Sequence, residues 1–197
     1  DVFVDASNRI VAPGFIDVHT HDDHALLSTP CMSYKTSQGV TTVVVGNCGI
    51  SLAPLRFFGD RPPPPLDLLG DGYNFPRMAD FVDHLEANPP ATNAAYLCGH
   101  TTLRVGAMDD LVRPATEDEI SLMKDNLSEA LDSGAVGLST GLAYDPAKSA
   151  PTREILSLAE ILGPADALYT THLRDEGTNI ISSLEEAFQI GRESDAA

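Results

Sequence analysis

An α/β fold built from successive βα units is what this sequence predicts, on three observations. Strand-like and helix-like segments alternate along most of the chain. The strand segments are β-branched and continuously apolar, as strands covered on both faces of a parallel sheet must be. Each strand also runs out into polar residues of catalytic type, and in parallel α/β sheets the C-terminal strand ends are where sites are built. About five such units can be counted, which fits an arc of a (β/α)₈ barrel and equally a doubly wound open sheet.

Taken in order, DVFVDASNRIV (1–11) reads as strand, Asn-containing turn, strand. Pro13-Gly14 breaks the pattern, and GFIDVHTH opens a new strand. TTVVVGNC (41–48) is a fully buried strand by composition. The proline-rich tract 54–76 cannot be regular helix or central strand and reads as an insertion or lid loop. Met78, Phe81, Val82 and Leu85 then follow helical spacing. TNAAYLCGH (92–100) is the next strand. The segment from Thr116 opens with a Thr116/Glu119 capping box, carries an apolar stripe of Ile120, Met123, Leu127, Ala130 and Leu131, and closes at Gly134. AVGLSTGL (135–142) and DALYTTHL (166–173) are the remaining strands, and Ile180, Leu184, Ala187, Phe188 and Gly191 mark a final helix.

Composition narrows the function. Hydrophobic residues make up 43%, enough for a core and against disorder. With 29 acids against 12 bases the net charge is -17, which argues against nucleic acid or an anionic membrane surface as partner. No apolar run approaches the roughly 18 residues a membrane span needs. Cys31, Cys48 and Cys98 are odd in number and widely spaced, which fits a reducing, cytoplasmic compartment better than a disulfide framework. The chain opens Asp1-Val2-Phe3 without Met or a leader, so the expectation is that the native start is missing.

Residues i and i+2 of a strand share a face, so His19 and His21 are expected to aim their rings together. Cys48, His100 and His172 close the second, third and fifth strands, and parallel neighbouring strands would bring all five to one rim. Imidazole nitrogens with a thiolate make a donor set suited to Zn²⁺. Taken singly, each has an ordinary alternative: a hydrogen-bonded rim histidine, a buried thiol, a core histidine bonded to backbone. His24 and His84 read as surface residues, Cys31 and Cys98 as buried fillers, and Asp22 and Asp23 as acids orienting the histidines. Arg104 and Arg174 stand just past strand ends, where salt bridges to Asp175, Glu176 or other rim acids are expected before carboxylate binding.

VAPGFIDVHTHDD, GNCGIS, GHTTLR, GAVGLSTGLAYDP and TTHLRDE, in that order, resemble the N-acyl-D-amino-acid deacylases (D-aminoacylases) of the amidohydrolase superfamily, from residue 10 to the end. The resemblance implies a partial (β/α)₈ TIM-type barrel over 13–197, truncated at its C-terminus, with 1–12 as the closing strands of a small β domain. Many superfamily members bridge two metals with a carboxylated lysine on the fourth strand; Lys35, Lys124 and Lys148 stand at no such strand end. The family implies instead that Cys48 supplies a thiolate, with His172, to a tightly held zinc, and that His19 and His21 serve a weaker neighbouring position. Tyr144 would line the substrate pocket.

The implied activity is zinc-dependent hydrolysis of N-acyl-D-amino acids, small molecules, to a carboxylate and a free D-amino acid. The catalytic aspartate would lie beyond residue 197, leaving no catalytic residue within the chain and an inactive fragment. The alternatives are an amidohydrolase acting on a cyclic amide or dipeptide, and a non-catalytic metal-binding barrel. An arc of five units would expose two sheet edges and apolar inner faces, so the isolated chain is expected to be aggregation-prone. A monodisperse, cooperatively melting preparation would contradict that.

Overall fold

A computed structural model describes residues 2–57, 61–70 and 74–197. Its sheet has five strands, β1 (Phe15–Asp17), β2 (Val40–Val45), β3 (Asn93–Gly99), β4 (Gly137–Gly141) and β5 (Leu168–His172), all parallel and in the order β1-β2-β3-β4-β5. Strand order equal to sequence order, without a reversal point, is the winding of a barrel arc; a doubly wound sheet reverses direction partway. The sheet is therefore a curled half-barrel.

The crossovers carry α1 (Asp23–Ser28), α2 (Ser33–Thr36), α3 (Met78–Ala87), α4 (His100–Ala107), α5 (Glu117–Asp132), α6 (Asp145–Lys148), α7 (Thr152–Ala159) and α8 (Ile180–Ser194). Their apolar faces supply Leu26, Met78, Phe81, Met123, Leu127, Ile155, Leu158 and Ile190 to one contiguous core with Val43, Val45, Cys98 and Leu138 of the strands. β1 and β5 are the outer strands of the described sheet, and Phe15, Ile16 and Leu168 are exposed along them.

The capping box at α5 forms as its sequence predicts. The Thr116 side chain accepts the Glu119 N–H, and the Glu119 carboxylate accepts the Thr116 N–H at 2.8 Å. Arg113 adds two 2.7 Å bonds, and its hydrogen bonding holds the Glu119 carboxyl down to about 2. A carboxyl that titrates lower folded than unfolded contributes fully above its ordinary value and loses that contribution as pH falls through the folded one. Glu119→Gln should therefore destabilise by about 1 kcal/mol near pH 6 and by progressively less toward about pH 2. Denaturant unfolding at both ends of that range checks this; an equal loss throughout would contradict it.

Several readings change in three dimensions. Residues 2–14 contain the expected turn, with the Arg9 N–H bonded to Ala6 O and Asn8 left-handed, but no strands pair on either side of it. A hairpin needs a sheet to pack on, and Val2, Phe3, Val4, Ile10 and Val11 are all exposed. β3 stops at Gly99, so His100 begins α4 and does not end a strand. Cys31 is exposed where a buried filler was expected, because it falls in the turn between α1 and α2; Cys98 is buried as expected. The proline-rich tract is partly described: a short 3₁₀ helix, Leu66–Leu69, buries Leu66 and Leu69. The rest of that lid reading, at 58–60 and 71–73, lies outside the described residues.

Candidate metal centre

The C-terminal ends of β1, β2 and β5 bring four sequence-predicted side chains together. His19 Nε2 lies 3.1 Å from Cys48 Sγ, and Cys48 Sγ lies 4.0 Å from His172 Nδ1. One donor atom each from His19, His21 and Cys48 falls within 4.8 Å of the others. The two histidine rings stand edge to face with centroids 5.7 Å apart. Tyr144 joins them: its hydroxyl is 3.3 Å from His172 Nδ1, and the two rings tilt against each other at 4.9 Å.

Strand alternation is not what aims the histidine pair. β1 ends at Asp17, so His19 and His21 lie beyond it, in a segment fixed through Thr20. The Thr20 N–H donates to Val44 O, and Asn47 Nδ2 donates to Thr20 O. Both contacts come from β2 or its exit, so the strand that delivers Cys48 also carries the histidine segment.

Cys48 sits in a tight turn between Gly46 and Gly49, and all three have left-handed backbones, at φ 79°, 56° and 77°. Glycine meets that requirement freely, whereas a non-glycine residue there costs about 1–3 kcal/mol. A cysteine kept in that conformation points to a chemical role for its sulfur. Ser139 of β4 braces the turn, donating to Gly46 O and accepting the Gly49 N–H. Gly141 completes the fit: a Cβ there would collide with the Cys48 carbonyl oxygen and the Tyr144 ring. Gly141→Ala should displace both Cys48 and Tyr144, and weaken metal retention by at least about tenfold in chelator competition.

Burial pushes the Cys48 thiol up, with the Tyr144 hydroxyl pulling the other way, so the free protein holds it as a thiol. Desolvation, reinforced by the neighbouring His19 and His172, lowers His21 and favours the neutral ring that can ligate. A thiol that ionises on binding a cation, beside neutral imidazoles, is zinc-type chemistry. Two ligands on one tetrahedral zinc stand roughly 3.5 Å apart, and the 3.1 and 4.0 Å separations bracket that value. The donor set fits the metal.

The other candidates fall elsewhere. His100 is fully buried, with Nε2 3.0 Å from Glu154 Oε1, away from any rim role. Arg104, also fully buried, pairs with the same carboxylate, and Arg174 pairs with Glu186 at 2.8 Å, so both arginines form salt bridges, though with neither Asp175 nor Glu176. Asp22 faces Lys35 at 3.0 Å. Asp23 is buried under backbone N–H groups of Gly46 and Leu52, and burial pushes its carboxyl up to about 7. Asn47 and Ser139, which hold the cysteine turn, carried no readable signal, since both bond to backbone of segments remote in sequence.

Five parallel strands in sequence order, with a thiol and imidazoles meeting at their C-terminal ends, define an arc of a (β/α)₈ barrel with a candidate metal centre at its rim. The sequence profile of the amidohydrolase family matches residues 2–181, and the chain belongs to that family. It is 55% identical over 194 residues to a D-aminoacylase of Alcaligenes xylosoxydans xylosoxydans, and 52% identical over 195 residues to an N-acyl-D-aspartate deacylase of the same organism. Each match covers 98% of this chain and 40% or 39% of the relative, so the chain spans about two fifths of their length. Among solved structures, a D-aminoacylase superposes with a TM-score of 0.90 at 54% identity, covering 93% of this chain and 39% of that one. An N-acyl-D-glutamate deacylase from Bordetella bronchiseptica, complexed with zinc and a phosphonate mimic of the tetrahedral intermediate, superposes at 0.93 with 44% identity, covering 98% and 40%.

Proposed function

We propose that the protein is a zinc-dependent N-acyl-D-amino-acid deacylase, hydrolysing the amide to a carboxylate and a free D-amino acid. The observation that carries this is the convergence of Cys48, His19, His21 and His172 in a chain more than half identical to a D-aminoacylase. The crystal structure of a related deacylase with zinc and a phosphonate mimic of the tetrahedral intermediate supports the same chemistry.

In this reading Cys48 and His172 hold the tighter zinc, and His19 and His21 serve the position beside it. Zinc supplies a water of lowered pKa and a Lewis acid for the amide carbonyl. The protein's own contribution is to fix the donors. The left-handed turn presents the Cys48 sulfur, Ser139 locks that turn, and Thr20 anchors the histidine segment to β2. Tyr144 lines the substrate pocket, where its hydroxyl orients His172. The three cysteines, all free, agree with a cytoplasmic setting, and among the described residues no helix is long and apolar enough to cross a membrane.

The test is amine release by the full-length protein from N-acetyl-D- and N-acetyl-L-amino acids, with and without a chelator. A preference of at least about 100-fold for the D form is expected, lost on zinc removal and restored by zinc. Equal cleavage of both forms, or turnover indifferent to chelation, would overturn the proposal.

A further inference from the structure

We propose that Lys35 is a positioning residue for the metal-binding histidines, its ammonium tying Asp17, Thr20 and Asp22 together and so fixing the His19–Thr20–His21 segment. The inference rests on the metal reading of that pair given above.

The segment needs such a tie. β1 is three residues long, its register with β2 shifts between Phe15 and Ile16, and it has ended by Asp17. His19 is exposed, and the backbone of the segment is held to β2 and its exit through Thr20. Lys35 approaches from α2. Its Nζ lies 2.6 Å from Asp17 Oδ2, 3.4 Å from Thr20 Oγ1 and 3.0 Å from Asp22 Oδ2. The ammonium donates to Asp17 Oδ2 and Thr20 Oγ1, and the Asp22 carboxylate stands within ion-pair distance of the same nitrogen.

The partners are placed to govern the histidines. Asp17 lies two residues before His19 and accepts the His19 N–H on Oδ1 at 3.3 Å. Thr20 separates the two rings, and Asp22 follows His21. Both sides of each histidine are thereby tied to one nitrogen. Tyr34 adds a 3.5 Å contact from its hydroxyl to Asp22 Oδ1. The Lys35 side chain is 17% exposed, so water competes little for these contacts. A cationic side chain near a cation site opposes metal binding by charge alone, and here two carboxylates offset it. What remains is a geometric role.

The test uses the full-length protein and measures zinc affinity by chelator competition for the unaltered chain, Lys35→Met, Lys35→Arg and His19→Ala, with circular dichroism on each. Lys35→Met is expected to lose about 10–100-fold in affinity with its helical signal intact, the range typical of partners one step behind the ligands. Lys35→Arg should recover most of that loss, which a merely destabilised fold would not show. Should Lys35→Met not fold, Asp22→Asn keeps the side-chain shape, weakens the same tie, and should lose about threefold or more.

Zinc held as tightly by Lys35→Met, or by Asp22→Asn in its place, as by the unaltered chain overturns the inference while leaving the metal centre standing, provided His19→Ala weakens binding. Affinity indifferent to His19→Ala overturns the metal reading of the pair, and the role of Lys35 with it.

Discussion

Cys48→Ala should strip the full-length protein of zinc and, with it, of hydrolytic activity. Removing a group that merely orients a ligand costs about 10–100-fold in metal affinity, so removing a thiolate ligand should cost at least about 100-fold. The loss cannot be ascribed to packing. The turn around Cys48 is left-handed, a conformation alanine tolerates about as poorly as cysteine, and its bracing by Ser139 uses backbone groups that the substitution leaves in place. Cys48→Ser is the sharper version, keeping size and shape while replacing a soft sulfur by a hydroxyl that seldom ionises. Metal content measured on the purified variants decides the matter. Full zinc occupancy and undiminished turnover in Cys48→Ser would remove the thiolate from the site.

Glu154→Leu is expected to destabilise the fold by about 3–5 kcal/mol, the cost of leaving a buried charge without its partner. Arg104 is fully buried, and among the described residues it bonds, besides the Glu154 carboxylate, only the carbonyl oxygens of Pro146, Leu111 and Arg113. Burial lowers the pKa of His100, so it is neutral and donates from Nε2 to Glu154. Arg104 is then the charge that answers the carboxylate. Burial alone would raise the Glu154 carboxyl, yet its hydrogen bonds and Arg104 outweigh that and hold it well below the ordinary range. The second carboxylate oxygen accepts the Ala115 N–H at 3.1 Å, joining α7 to the start of α5.

The same cluster reaches the candidate site. Arg104 Nε donates to Pro146 O at 2.7 Å, two residues from Tyr144. Arg104→Met/Glu154→Leu removes both charges, and its loss should be well below the sum of the two single losses. Urea unfolding of the two single variants and the double checks this. Additive losses would mean that the pair does not act as a unit.

Much of the site was legible because its chemistry follows strand ends, and strand ends follow composition. β2 announces itself through Thr41 to Val45, but Cys48, expected to close that strand, falls three residues past its end in a turn. His172 is the last residue of β5, where alternation put it. His100 misled for a related reason: the strand before it is equally clear, but α4 begins at once and turns the ring into the protein. α4 itself has no amphipathic stripe to detect, since His100, Thr101, Thr102, Leu103, Arg104 and Val105 are all buried. α7 did offer a pattern, Ile155, Leu158 and Ala159, but it is short and its buried stripe includes Glu154, whose partner lies 50 residues earlier.

Long-range contacts of that kind account for most of what could not be read. Lys35 reads as an ordinary surface lysine until Asp17 and Asp22 are seen around it. Backbone dihedrals were likewise hidden. GNCG marks a turn, but nothing in it says that the cysteine itself takes the left-handed conformation. The choice between barrel and open sheet rested on strand order, which local pattern does not encode and which four parallel pairings in sequence order settle.

X-ray absorption at the zinc edge of the full-length protein counts the sulfur atoms on the metal. A sulfur scatterer at about 2.3 Å with nitrogen or oxygen at about 2.0–2.1 Å is expected, with loss of the sulfur shell in Cys48→Ser. A zinc shell of nitrogen and oxygen alone in the unaltered protein would contradict ligation by Cys48.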